Sequence, residues 1–151
     1  MKQFTVRPMT REDLPAVAEL EKLCFSEPWS LAQLSDSLHR QEYTFLVATE
    51  EADPSRVAGY LGARIVLDEM DIANVAVFPE YRKQGVASAM LDRLLETAEE
   101  RELYGVTLEV RVGNEPAIFL YEKKGFVREG VRPKFYSRPT EDALIMWKYL
   151  R

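Results

Sequence analysis

A chain of 151 residues is about one domain long, enough to bury roughly two-thirds of its unfolded surface around a single core, so residues 1–151 are expected to form one domain with one site. Hydrophobic residues make up 46% and charged residues 30% of the sequence, an ordinary globular balance with no apolar run long enough to span a bilayer. The net charge is -5 and no face is rich in Lys or Arg, which argues against a dedicated nucleic-acid surface and suits an acidic molecule to a basic peptide.

The opening MKQFTVRPMTREDLP has neither the apolar segment nor the small-residue cleavage site of a secretory signal, so a cytoplasmic protein is expected. Phe4 to Arg7 reads as a short strand ended by Pro8. Thr10 with Asp13 forms a capping-box start for a helix whose apolar face carries Leu14, Val17, Leu20 and Leu23/Cys24. Cys24, the one cysteine, has no partner for an intramolecular disulfide and is expected as a small core residue. A second capping box, Ser30 with Gln33, opens a short helix through Leu31, Leu34 and Leu38. The one histidine, His39, is expected on the surface of that helix, and with so few soft ligands no metal site is expected.

Thr44–Thr49 and Val57–Val66 are β-rich and read as a hairpin whose turn signal is Asp53-Pro54-Ser55. Asp71–Val77 is a further strand, followed by the polar loop FPEYRKQG and a helix carrying Val86, Met90, Leu91, Leu94, Leu95 and Ala98 at helical spacing. Gly105 resets the chain before VTLEV, where Val106, Leu108 and Val110 alternate with Thr107, Glu109 and Arg111. Asn114 and Pro116 open a helix, AIFLYEKK, that Gly125 ends; the strands FVREGV and ALIMW close the chain. The order predicts an α/β fold in which a mixed, mostly antiparallel twisted sheet of six to seven strands has helices on both faces.

In VAVFPEYRKQGVASAMLDRLLE a strand feeds a basic, glycine-bearing loop directly into a helix N-terminus. Free N–H groups of a first helical turn and the positive end of the helix dipole suit a phosphate, Gly85 permits close backbone approach, and Arg82 and Lys83 add charge. Taken alone the loop reads equally well as an ordinary Gly-containing turn. Glu109 is opposite in parity to the apolar residues of its strand, so it is either a functional carboxylate or an outward one paired with a neighbouring cation. Tyr121 reads either as a functional phenol or as a half-buried helical aromatic beside Leu120.

Arg82-Lys83-Gln84-Gly85-Val86-Ala87 resembles the Q/R-x-x-G-x-G/A loop of the GNAT family of N-acetyltransferases, with Ala87 where Gly is commoner. LCFSEPWS, LEVRVGNEPAIFLYEKKGF and RPKFYSRPTEDALIMW extend the likeness over essentially the whole chain and are similar to the RimI-type and archaeal Ard1-type N-terminal acetyltransferases. The RimI branch acetylates the N-terminal alanine of a small-subunit ribosomal protein. The resemblance implies acetyl-CoA as co-substrate and direct attack on it by the amine of a protein with a free N-terminus; a broader-specificity N-terminal, lysine or small-amine acetyltransferase and a non-catalytic acyl-CoA-binding module are the alternatives. The resemblance places the acetyl-pantetheine arm on the backbone of Val75, Ala76 and Val77, with an oxyanion-binding N–H among them if the strand is bulged there. It also implies that Lys83, Gln84, Gly85, Val86, Ala87 and Ser88 cradle the pyrophosphate beside Arg82, that Asn114 contacts CoA, and that Glu109 is the general base and Tyr121 the general acid. Transfer needs a neutral amine, a polarised thioester carbonyl and a proton for the departing sulfur, and the phenol, protonated at neutral pH with a reference pKa of roughly 10, is expected to donate to a thiolate whose simple analogue is near roughly 8.5. Glu69, Asp71 and Tyr136 are the candidate peptide-binding residues, with Asp68, Glu69 and Asp71 as an acidic cluster for a basic residue behind the N-terminus. Trp29 is expected to pin the second helix.

Overall fold

The structure, a computed structural model, describes residues 3–151; Met1 and Lys2, part of the stretch read for a leader, lie outside the described residues. The elements are β1 (Phe4–Pro8), α1 (Leu14–Cys24), α2 (Leu31–Ser37), β2 (Tyr43–Glu50), β3 (Asp53–Val66), β4 (Glu69–Val77), α3 (Val86–Glu100), β5 (Gly105–Arg111), α4 (Glu115–Lys123), β6 (Val127–Tyr136) and β7 (Glu141–Tyr149). Seven strands form one sheet in the order β1-β2-β3-β4-β5-β7-β6. Every pairing is antiparallel except β4 with β5, so the expected mixed, mostly antiparallel sheet is what forms.

Strand alternation sends apolar side chains to two separate layers. Leu46, Leu61, Met70, Ile72, Leu108 and Met146 pack under α3 and α4, while Phe45, Val47 and Tyr60 pack under α1 and α2. Both predicted capping boxes form. The Asp13 carboxylate accepts from the Thr10 N–H at 2.8 Å, and Gln33 and Ser30 exchange bonds of 2.8 and 3.1 Å. Asp13 is also gripped through both oxygens by the Arg7 guanidinium at 2.8 and 2.9 Å. These bonds and the Arg7 charge outweigh burial and lower its pKa.

Several expected boundaries move. The β2–β3 turn is Glu51-Ala52, because Glu50 already pairs with Asp53. Asp53 instead accepts the Ser55 N–H at 3.1 Å within the start of β3, a local bond that mimics a turn signal in the sequence. The strand expected over FVREGV continues to Tyr136, its polar outer half tolerated because β6 is the sheet edge. His39 falls in the turn after α2, with Nε2 3.3 Å from an Arg11 guanidinium nitrogen. Trp29 packs edge-on against Tyr43 and Phe45 as expected. Among the described residues no helix is long and apolar enough to cross a membrane.

Candidate functional site

The site is a V in the middle of the sheet. The parallel pairing of β4 with β5 runs only from Glu69↔Gly105 to Ile72↔Leu108, after which the strands separate. Past that point β4 still pairs with β3, through Asn74↔Gly62 to Val77↔Gly59, and β5 still pairs with β7, through Glu109↔Ile145 to Arg111↔Ala143. The edges that face each other across the V are thus left without strand partners. The cause is a bulge: Gly62 pairs with Asn74 and Ala63 with Ile72, so Ala73 is the extra residue. It also switches the parity of β4, because Ile72 and, after the bulge, Val75 and Val77 meet the α3 layer, whereas Ala76 meets the α1 layer. The bulge expected at Val75–Val77 therefore lies just before those residues.

Both helices that follow the diverging strands start at the mouth of the V, the arrangement at the carboxyl ends of parallel strands that favours ligand binding. Gly85 is the N-cap of α3 with φ 82° and ψ 13°, a left-handed conformation in which glycine costs least. A Cβ there would touch nothing within 4 Å, so the residue is fixed by backbone conformation and leaves open space above it. Lys83 is also left-handed, with φ 63°. From Lys83 to Ser88 the backbone N–H groups make no hydrogen bond among the described residues, whereas Ala89 N–H begins the helical ladder on Gly85 at 3.0 Å. Such a row of unpaired donors at a helix N-terminus is built for an anion. Arg82 turns back onto β4, its Nε donating to Val77 O at 3.2 Å, and Gln84 donates to Glu80 O at 3.1 Å. Cys24 is partly buried: it packs against the rim of the α1 core as expected, and Arg82 lies 3.7 Å from its sulfur.

The close seat of α3 depends on Gly59, where a Cβ would lie 2.8 Å from Ala76 O and 3.1 Å from Val86. A glycine here lets the first turn of α3 sit close against β3.

On the open face of β5, Glu109 is partly buried and its Oε2 meets Arg132 Nε of β6 at 3.0 Å. Asp71 of β4 pairs with Thr107, which puts it on the same face two residues short of Glu109. Its side chain reaches solvent, yet the walls of the V take water from its carboxyl. That loss, with repulsion from Glu109, pushes its pKa up to about 6 against the pull of Arg64 and Arg132. Tyr121 reaches in from α4 at 8% exposure, and burial, with Tyr136 nearby, pushes its hydroxyl up to about 12. No buried side-chain oxygen lacks a partner among the described residues, so the Tyr121 hydroxyl, which makes no bond there, is not sealed from solvent, and its electrostatic neighbour is Tyr136. Tyr136 closes the group. Burial and the charge of Glu109 push it up to about 12 against the pull of Arg111, whose guanidinium stacks 4.5 Å from the ring centroid.

The V is thus walled by a row of unpaired N–H donors, a carboxylate pair and two phenols. The acetyltransferase (GNAT) family model matches residues 14–126. The chain belongs to this family. A Bacillus subtilis relative, provisionally named a ribosomal protein bS18-alanine N-acetyltransferase, is 37% identical over 142 residues, covering 94% of this chain and 93% of the relative. The Escherichia coli ribosomal protein bS18-alanine N-acetyltransferase is 33% identical over 144 residues, 94% and 95% of the two chains. Its counterpart among solved structures, the ribosomal-protein-S18-alanine N-acetyltransferase of Escherichia coli, superposes with a TM-score of 0.87 at 31% identity over 98% of this chain and 94% of that one. Ard1 from Thermoplasma volcanium gives 0.86 at 28% identity over 98% of each.

In this GNAT acetyltransferase the expected residues are not all at one place. Val75–Val77, Lys83–Ser88, Glu109, Tyr121, Asp71 and Tyr136 border the V. Glu69 shares the face of Asp71 but begins β4, at the paired end away from the opening. Asn114 caps α4, its carboxamide oxygen accepting the Ala117 N–H at 3.3 Å, which leaves only its NH2 group for a ligand. The cation partner that the sequence offered for Glu109 exists, and it is Arg132, a residue the sequence could not name because the register of an edge strand with two irregularities has no local signature. Sequence reading missed Glu21, a buried carboxylate in a helix whose pattern is otherwise plainly amphipathic.

Proposed function

We propose that the chain, acting as one acetyltransferase domain over residues 1–151, transfers the acetyl group of acetyl-CoA to the N-terminal amine of a small-subunit ribosomal protein whose first residue is alanine. The observation that carries this reading is the bulged opening between β4 and β5, with unpaired N–H donors at one end and Glu109, Asp71, Tyr121 and Tyr136 on its walls. The names of relatives matched over 93% and 95% of their length supply the acceptor. A ribosomal protein acceptor suits action in the cytoplasm.

The residues present fit the co-substrate. The N–H groups from Lys83 to Ser88 match a pyrophosphate, with Arg82 and Lys83 adding charge, and the edge of Val75, Ala76 and Val77, which has no strand partner although Arg82 holds the Val77 carbonyl, can bond an extended pantetheine amide. The NH2 group of Asn114 adds a donor at the mouth of α4. When bound, acetyl-CoA supplies a thioester carbonyl as electrophile.

The protein's part is to prepare the amine and stabilise charge. An N-terminal amine with a reference pKa of roughly 7.7 to 8.0 is largely protonated at neutral pH, and Glu109 takes its surplus proton, directly or through water. Asp71, ionised above about 6, faces the same ammonium from β4 and attracts it into the V. A backbone N–H on the free edge of β4 donates to the developing oxyanion. Tyr121 hydrogen-bonds the sulfur as negative charge grows there. At about 12 its phenol is a weaker acid than a thiol near roughly 8.5, so it hydrogen-bonds the sulfur without surrendering its proton; as the C–N bond forms and the C–S bond breaks, the nitrogen sheds its second proton to water and CoA leaves as the thiolate. Tyr136 forms an aromatic wall of the acceptor groove.

The test is CoA release with two peptides, one with a free N-terminal alanine and one N-terminally blocked with an internal lysine. Turnover of the first alone supports the reading. Turnover of the blocked peptide, or of neither while CoA still binds, overturns it.

A further inference from the structure

Glu21 is a buried carboxylate that the reaction outlined above does not use. It lies on α1 at 1% exposure, and each of its hydrogen bonds comes from a different element beside the V. Trp29 N–H, at the end of the α1–α2 connection, donates to Oε1 at 2.8 Å. The Tyr60 hydroxyl of β3 donates to Oε2, and Asn74 Nδ2 of β4 donates to the same oxygen at 2.9 Å. Asn74 also lies 2.9 Å from the Tyr60 hydroxyl.

A carboxyl group in this position is costly, since burial pushes its pKa up even though the bonds from Tyr60 and Trp29 pull it down. An apolar residue would pack between α1 and the sheet without that cost. What the carboxylate adds is direction. Asn74 directly follows the bulge residue Ala73 and is the residue from which the free edge of Val75–Val77 sets out. Trp29 precedes α2, and its ring is locked against Tyr43 and Phe45. Glu21 therefore links the departure angle of the free edge of β4 to the α1–α2 connection.

We propose that Glu21 is a positioning residue for acetyl transfer, holding the free edge of β4 and the α1–α2 connection in fixed relation through Asn74 and Trp29. The inference rests on the acetyl-transfer reading, because the acyl group is placed on that edge. A rigid link between donor edge and acceptor wall sets the distance between amine and thioester, and a displacement of about 1 Å costs on the order of 10²-fold in rate.

Three variants separate positioning from packing. Asn74→Ala cuts the link to β4 and leaves the Tyr60 and Trp29 bonds in place; Glu21→Leu removes the whole hub; Tyr60→Phe removes one hydroxyl and keeps both links. In proteins confirmed folded by circular dichroism, the first two are expected to lose about 10-fold or more in kcat, with KM for acetyl-CoA within about 3-fold of wild type, and Tyr60→Phe to keep kcat within about 3-fold. Glu21→Gln, which still accepts from Trp29 and can bond Asn74 if that amide flips, is expected to restore most of the rate. Amide hydrogen exchange with CoA bound gives a readout that needs no acceptor: Glu21→Leu speeds exchange at both Trp29 and the β4 edge, and Tyr60→Phe at neither. Wild-type kcat in folded Asn74→Ala and Glu21→Leu, equal losses in all three variants, or unchanged exchange in Glu21→Leu overturns the proposal. Failure of the wild type to acetylate a free-alanine peptide instead sinks the proposed function, and exchange then decides the linkage alone.

Discussion

Arg132 of β6 lies with Nε 3.0 Å from Oε2 of Glu109 on β5, tying the edge of the sheet to the carboxylate proposed as base. The pair is partly exposed, so its worth to stability is about 1 kcal/mol or less; its value is the direction it gives the carboxylate. Glu109→Gln is expected to lower kcat by roughly 10²-fold with little change in KM for acetyl-CoA. Arg132→Met is expected to lower kcat by a smaller factor, about 3- to 10-fold, at nearly unchanged melting temperature. Steady-state kinetics and thermal denaturation of both variants check this, and an Arg132→Met protein that melts early while turning over normally contradicts it.

Tyr121 carries its proton throughout the working range, since burial pushes it up to about 12. Tyr121→Phe is expected to reduce kcat by about 10- to 10²-fold while leaving the shape of the pH–rate profile below about pH 9 intact. A basic limb lost in the variant would mean that Tyr121 titrates in turnover, contrary to its environment.

Asp71 has a folded-state pKa of about 6 against an ordinary 3.8. The folded protein thus holds more protons than the unfolded chain between those values, and stability falls as pH rises through the window. Asp71→Asn is expected to flatten that part of the melting-temperature profile and to melt above the wild type beyond about pH 6, by a small margin because the side chain meets solvent. It is also expected to raise KM for the peptide. Scanning calorimetry across the window tests the sign, and a variant less stable than wild type at pH 7 contradicts it.

Gly85→Ala changes little but backbone conformation, because the added Cβ meets no atom within 4 Å. The substituted turn is expected to relax out of the left-handed region in the free protein and to return to it on binding, a cost of roughly 1–2 kcal/mol that weakens CoA binding about 5- to 30-fold. Isothermal titration with CoA measures this directly, and unaltered affinity would remove the turn from the binding site.

Much of this was legible in the chain because it is local. The capping boxes at Thr10 and Ser30, the glycine loop leading into a helix N-terminus at Gly85 and the parity of Glu109 are set by residues a few positions apart, and the structure keeps them. What was not legible depends on register. The bulge at Ala73 arises from pairing with Gly62 and Ala63, and nothing in IANV announces which residue will be left out. The Arg132–Glu109 pair and the Glu21–Tyr60–Asn74 cluster join residues far apart in sequence, and a single Glu on an amphipathic helix gives no sign that it is buried. Asp53-Pro54-Ser55 shows the converse, a correct local bond that does not turn the chain. The reference values of phenol and thiol already make full proton transfer from Tyr121 to a free thiolate unfavourable, and burial widens the gap.

The most direct test is a single turnover of the wild-type protein with acetyl-CoA and a peptide beginning with a free alanine, followed by mass spectrometry of both peptide and protein. The account predicts acetyl on the peptide α-amine alone, with none on the protein at any time. Acetyl found on Cys24 or another protein side chain before the peptide, or on a lysine of the peptide, would contradict direct transfer within the opening between β4 and β5.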